Sequence, residues 1–260
     1  MEYRISYWCI SHIGNIRSVN QDNYICDGQY MQPDDEPMDA PLVGTLSSQT
    51  PALLGVFDGM GGEECGEVAA FIAAKNAAAL RFGKEPLDDL SEFCRKANDD
   101  ICQYTQQQGI SSMGTTAAML AFTADAITLC NIGDSKVLRF SKEGPAQLSF
   151  DHVAPCPFGK KPPLSQNLGI PTTEMIIDPY FARGSYRDGD YYLICSDGLT
   201  DMLSPEAIQN ILRSAPEPEA ASLEMLRTAL FNGGKDNVTF ILCRVEKVRR
   251  GLARLFAKKR

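Results

Sequence analysis

Four short stretches of this chain join an aspartate to glycine-containing turns: Asp58-Gly59, Gly133-Asp134, Asp197-Gly198 and Asp236 in Gly234-Lys235-Asp236-Asn237. In three of them the aspartate stands where an apolar, strand-like run meets a turn. Glycine lets the backbone bend sharply and come close to its neighbours, so carboxylates from several strand ends can meet at one point. Left alone they would repel and cost stability; a hard dication coordinated by oxygen removes that repulsion. Mg²⁺ or Mn²⁺ suits such donors, whereas Zn²⁺ favours His and Cys. That the chain has only His12 and His152 argues against a histidine-built zinc site. Taken singly, each Asp-Gly pair is more simply a turn signal. Four of them beside apolar strands point to a cation site, although spacing alone names no reaction.

The elements that must position these turns are short. Arg4–Ile10 and Asn23–Cys26 read as strands around a polar turn, and Ala52–Phe57 as a buried strand stopping at Asp58. Residues 30–51, rich in Pro, Asp and Ser, read as an exposed loop. Glu63–Phe82 and Leu87–Gln108 have helical spacing, with Pro86 at a suitable first position. Thr115–Thr123, Ala126–Asn131 and Lys136–Phe140 predict an antiparallel meander. Residues 151–171 read as a Pro- and Gly-rich loop, followed by a strand at Thr173–Ile177. Tyr191–Cys195 is a strand ending at Asp197-Gly198, Pro205–Ser214 and Glu219–Phe231 are helices, and Asn237–Val245 closes the fold as a strand. Local strand pairing with paired helices predicts two antiparallel sheets covered by helices, not a doubly wound parallel sheet.

Composition sets limits on function. The 260 residues carry a formal charge of −8, which argues against general nucleic-acid binding. Residues 247–260 hold seven Lys and Arg and no acid, which leaves 18 basic and 33 acidic residues, −15, on the rest. The nine cysteines show no CxxC pair and several lie in apolar runs, as expected of reduced core residues in the cytoplasm. No stretch reads as a secretory leader or a spanning helix.

The motifs themselves carry a resemblance. Arg17-Ser18-Val19-Asn20-Gln21-Asp22, Val56-Phe57-Asp58-Gly59-Met60-Gly61-Gly62, Met113-Gly114-Thr115-Thr116, Asn131-Ile132-Gly133-Asp134-Ser135, Asp151-His152, Cys195-Ser196-Asp197-Gly198-Leu199-Thr200-Asp201 and Asp236-Asn237-Val238-Thr239 resemble, in order, the motifs of the type 2C metal-dependent protein phosphatases, bacterial branch. The resemblance runs from about Gly14 to Val245. It implies an α+β fold, a four-layer α/β/β/α sandwich with two central antiparallel sheets flanked by helix pairs. One phosphatase domain would span 1–246, with an exposed loop about 30–51, a short flap about 151–171, and a basic tail at 247–260. It further implies hydrolysis of phosphoserine and phosphothreonine by metal-activated water, with two core Mn²⁺ or Mg²⁺ ions and a third. Asp58, the Gly59 carbonyl, Asp197 and Asp236 would hold the core pair, and Asp134 with Asp197 the third. Arg17 would clamp the substrate phosphate through its guanidinium fork, and Asp22 would orient water from behind the ligands. The implied partners are phosphoproteins made by a cognate Ser/Thr kinase, met by a cytoplasmic monomer that binds no nucleic acid.

Three positions depart from the family pattern. Gln21 stands where a glutamate is usual, Met60 replaces a histidine common in eukaryotic members, and the flap is short and Pro-rich. Other features have plainer readings. Cys243 and Arg249 meet the C-x5-R spacing of cysteine phosphatases, but the residues between lack a phosphate-cradling character. His152 is read as fixing a loop, and Met113, Thr115 and Thr116 as strand residues outside the site. The tail is read as a solvated end, with a basic amphipathic helix at an anionic membrane or acidic partner as the alternative. Two further functional readings remain open: a non-catalytic phosphatase-like binding or sensing domain, and a phosphatase of a small regulatory protein in a partner switch.

Overall fold

The structure, a computed structural model, describes residues 2–33, 35, 38, 40–60, 65–124, 126–157 and 161–248. Along the chain run β1 (Tyr3–His12), β2 (Asp22–Cys26), β3 (Leu42–Ser47), β4 (Ala52–Asp58), α1 (Gly66–Ala79), α2 (Pro86–Gln108), β5 (Ala117–Phe122), β6 (Ile127–Ile132) and β7 (Lys136–Ser141). They are followed by β8 (Gly144–Gln147), β9 (Tyr180–Gly184), β10 (Tyr191–Cys195), α3 (Asp197–Thr200), α4 (Pro205–Ser214), α5 (Pro218–Phe231) and β11 (Val238–Lys247). One sheet has the order β3-β1-β11-β10-β7-β8 and the other β2-β4-β5-β6-β9, with every pairing antiparallel.

The layers follow from strand periodicity. Side chains alternate across a strand, and here both faces are covered, so the central strands are apolar throughout. On β4, Leu54 and Val56 face the other sheet while Leu53 and Phe57 face α1 and α2. On β11, Ile241, Cys243 and Val245 enter the space between the sheets, while Phe240 and Leu242 pack toward α3, α4 and α5. Three apolar layers thus separate four structural ones, giving the expected α/β/β/α sandwich. The small residues Ala69, Ala70, Ala73, Ala74 and Ala77 let α1 lie close on its sheet.

Three expectations are corrected. Residues 30–51 are not loop throughout: β3 pairs with β1 in register Trp8↔Val43. This is a short edge strand with a half-exposed apolar face, set among Pro, Asp and Ser, so its periodicity is weak. The expected strand at Thr173–Ile177 is absent; the chain joins β6 three residues further on, through β9, with Asn131↔Tyr180 at the start of the pairing. Nor do residues 115–140 form a single meander. β5 and β6 pair with each other, but β7 crosses to the other sheet and pairs with β10. That crossing at Gly133-Asp134 carries the second aspartate turn toward the other three. Asp125 and residues 61–64 and 158–160 lie outside the described residues, as do 249–260, the greater part of the tail; Lys247 itself ends β11.

Candidate metal and phosphate site

Strand register brings the first two acids together. β2 and β4 pair with Asp22 directly opposite Asp58, a spacing at which like charges destabilise a sheet. The ends of β10 and β11 bring the next two. The Ser196 amide donates to the Thr239 carbonyl at 2.9 Å, which ties Asp197 to the strand that follows Asp236. A Cβ at Gly198 would run into the Asn237 carbonyl oxygen, so only glycine allows these two turns to touch. Gly59 is similarly confined: its amide donates to the Gln21 carbonyl at 3.0 Å, and a Cβ would meet the Gly66 and Gln21 carbonyl oxygens.

Neutral side chains lock this frame. The Thr116 amide and Thr115 hydroxyl both donate to the Asp58 carbonyl, at 2.9 and 3.0 Å, and the Asp58 amide donates to the Thr116 hydroxyl at 3.0 Å. Both threonines, read from sequence as strand residues outside the site, therefore orient its central aspartate. Asn237, buried, accepts from the Gln21 amide and donates to the Ile13 and Val19 carbonyls, closing the loop that carries Arg17. The Gln21 amide group donates to Glu67 at 3.1 Å. His152 holds its backbone against Gly133, with the His152 amide donating to the Gly133 carbonyl at 3.0 Å. This is the loop-fixing role expected of it. Cys243 is fully buried between the sheets, its thiol pushed up by burial, and has no access to substrate.

The electrostatics are those of crowded acids. Asp22 is buried and pushed up to about 7, by burial first and by Asp197 and Asp236 after it, even though Ser196 donates to it at 2.8 Å. Asp58 is raised well above the usual carboxylate range by burial and then by Asp22, Asp197, Asp134 and Asp236. Burial and Asp197 push Asp134 up to about 6, and burial likewise raises Asp197. Two basic side chains answer this charge. Arg17 donates through Nη2 to Asp236 at 2.8 Å, a contact that raises its pKa. Lys161 pairs with Asp197 and lies 3.5 Å from Asp201. Burial lowers the Lys161 pKa, but Asp197 and Asp201 outweigh it and the net shift is upward. Sequence reading missed Lys161, because a lysine in a Pro-rich loop carries no spacing signal, and it quoted Asp201 in a motif without giving it a role.

All seven residues expected at the site, Arg17, Asp22, Asp58, Gly59, Asp134, Asp197 and Asp236, lie at this one edge of the sandwich. As the side chains stand, no three acidic, His or Cys groups among the described residues form a ready-made ion cage. Two observations nevertheless fit a divalent cation. The donors are all oxygen, which suits Mg²⁺ or Mn²⁺, and the carboxylates raise one another's pKa, with an ammonium already drawn in among them.

Comparison with known proteins decides the family. Residues 32–157 match the family described as Protein phosphatase 2C. The serine/threonine protein phosphatase PstP of Mycobacterium tuberculosis is 30% identical over 208 residues, which cover 74% of this chain. The chain belongs to the protein phosphatase 2C family. It spans only 40% of the length of that PstP. The serine/threonine phosphatase stp of Listeria monocytogenes is 24% identical over 257 residues, covering 92% of this chain and 95% of its own. A crystal structure of the PstP catalytic domain in complex with two manganese ions superposes with a TM-score of 0.74 at 26% identity, over 94% of this chain and all of that one.

Proposed function

We propose that this chain is a serine/threonine phosphoprotein phosphatase using Mn²⁺ or Mg²⁺. The observation that carries this reading is the meeting of Asp22, Asp58, Asp197 and Asp236 at adjoining strand ends, with Arg17 on Asp236. Asp58, the Gly59 carbonyl, Asp197 and Asp236 would hold two ions, and Asp134 with Asp197 a third. Bound there, the ions supply an activated water for attack at phosphorus and neutralise charge on the phosphoryl oxygens.

The chain's own residues do the rest. One Arg17 nitrogen engages Asp236, and the remaining guanidinium donors are free to receive phosphate oxygens at the mouth. Asp22, buried behind Asp58 and held by Ser196, would orient water from behind the ligands. Thr115, Thr116 and Asn237 hold the ligands in place, so little reorganisation is needed when charge develops.

The substrates would be phosphoproteins supplied by a Ser/Thr kinase, and the enzyme a cytoplasmic monomer. Among the described residues no helix is long and apolar enough to cross a membrane. The test is phosphate release from phosphothreonine, phosphoserine and phosphotyrosine peptides with Mn²⁺ or with chelator. The proposal expects Mn²⁺-dependent release from the first two. Release that ignores the chelator would overturn it.

A further inference from the structure

A second cavity lies beside the acidic site and shares a wall with it. Its volume is about 650 Å³, enough for a large side chain or a small ligand. One side is closed by Ser18 and Val19, the residues that follow Arg17. The other is closed by Val68, Phe71 and Ile72 of α1 and Tyr104 of α2. Phe71 is braced by Tyr30, with ring centroids 5.8 Å apart. The Arg17 loop is held against this space at both ends. At its start the Asn15 amide donates to the Gly234 carbonyl at 2.7 Å, and the Asn15 side chain to the Leu230 and Gly233 carbonyls at 2.8 and 3.1 Å. At its end Asn237 accepts from the Gln21 amide, and the Asn20 side chain donates to Ser11, both at 2.9 Å.

The chemistry of the wall selects the occupant. Its inner polar groups already serve one another. Asn20 accepts from the Asp22 amide at 3.2 Å, and the Ser11 and Thr239 hydroxyls meet at 2.8 Å. Asn23 accepts from the Met31 amide and donates to its carbonyl, Asp22 accepts from Ser196, and Glu67 accepts from Gln21. The other two charged residues of the lining, Asp35 and Lys75, are exposed and of opposite sign. What the cavity offers a ligand is therefore apolar surface, which gains free energy by covering other apolar surface from water. Apolar side chains also bracket Arg17: Ile16 is 70% exposed and Val19 49% exposed. Exposed apolar residues scattered singly are ordinary, but these two stand beside the residue read as the phosphate clamp, and Val19 opens onto the cavity.

We propose that this cavity is a specificity pocket for the phosphoprotein substrate: it takes one large apolar side chain, aromatic or leucine-like, from a position close in sequence to the phosphorylated residue. This rests on reading Arg17 as the clamp for the substrate phosphate. Val19 is two residues from Arg17, so the pocket wall begins within about 7 Å of the Arg17 backbone. An extended substrate spans that distance in about two residues, which places the apolar residue about one to three positions from the phosphoresidue. The pocket lies away from the reacting phosphorus. Filling it holds the substrate equally well before and during phosphoryl transfer, so the gain falls on KM and not on kcat.

The test measures Mn²⁺-dependent phosphate release by the full chain from phosphothreonine peptides that carry Phe or Ala, in turn, at each position flanking the phosphothreonine. Wild type is compared with Val19→Asp, which puts a charge on the wall at an exposed position, and with Val68→Trp, which fills the cavity. A thermal melt checks that each variant folds, and Val19→Asp decides alone if Val68→Trp does not. The pocket predicts that wild type prefers Phe to Ala at one position, or at two neighbouring ones, by about tenfold or more in kcat/KM, with the gain in KM. In both variants the ratio of Phe to Ala peptide falls close to one. Similar kcat/KM for every peptide in wild type overturns the proposal and leaves the phosphatase reading standing. A Phe preference that survives in Val19→Asp overturns it as well. Release from none of the peptides overturns both this proposal and the phosphatase reading.

Discussion

The two halves of the site are held by opposite means. The acidic floor is set by strand register and by glycines that admit no side chain: Asp22 faces Asp58 because β2 pairs with β4, and Asp197 meets Asp236 because Gly198 fits against Asn237. The basic roof, Arg17 and Lys161, stands on loops and reaches its partners through long, partly exposed side chains. The floor carries charge it cannot relieve by moving. The roof relieves part of it and can let go. Rigid placement of like charges, with long basic side chains above, is an arrangement suited to receiving a divalent metal.

Changes to the floor should have the larger effects. Asp22→Asn removes a buried charge from behind the cluster. Activity with saturating Mn²⁺ should fall by about 10–100-fold, while the metal-free protein melts at a higher temperature because one source of repulsion is gone. A steady-state assay beside a thermal melt checks both signs; a lower melting temperature would break the claim that Asp22 is a strained member of the floor. Gly198→Ala forces a Cβ into the Asn237 carbonyl oxygen, and overpacking of this kind costs about 1–3 kcal/mol. Denaturant unfolding measures it, and a neutral result would mean that the turns carrying Asp197 and Asp236 can separate cheaply.

The pH dependence sharpens the same comparison. Asp22 and Asp134 have folded-state pKa values of about 7 and about 6, above the ordinary carboxylate value. Between about pH 4 and 7 the native protein therefore holds protons that the unfolded chain has lost. Metal-free stability must fall as pH rises through that window, and Mn²⁺ should restore it most at the alkaline end. Melting curves from pH 5 to 8 with and without Mn²⁺ test this; a metal-free melting temperature that rises with pH would contradict it. The smallest global effect belongs to the roof. Asn98→Ala strips three bonds from the flap's anchor, so exchange at Gly169 and Ile170 should quicken by at least about tenfold while the melting temperature moves little.

What could be read from the sequence divides along the same line. The floor was legible because its geometry is local: a short continuous apolar run leading to Asp and then Gly, at Ala52–Gly59 and Tyr191–Gly198. Helices α2 and α4 were equally plain, with Pro86 and Pro205 at their starts. The roof was only half legible. Arg17 was found through a motif, but Lys161 depends on a flap whose position is set by Asn98 and Thr115, far away in sequence. The same distance hid β3, a weakly patterned edge strand, and β9, which takes its place from pairing with β6. Thr115 and Thr116 were misjudged because their hydroxyls act on the Asp58 backbone, a role that residue type does not announce.

The most direct test of the account compares Mn²⁺-dependent phosphate release from a phosphothreonine peptide by wild type and Asp58→Asn. Asp58 lies at the centre of the floor, opposite Asp22 and under the influence of Asp134, Asp197 and Asp236. The account predicts that the variant stays folded and loses at least about a hundredfold in rate at the same metal concentration. Equal rates in the two proteins would contradict it.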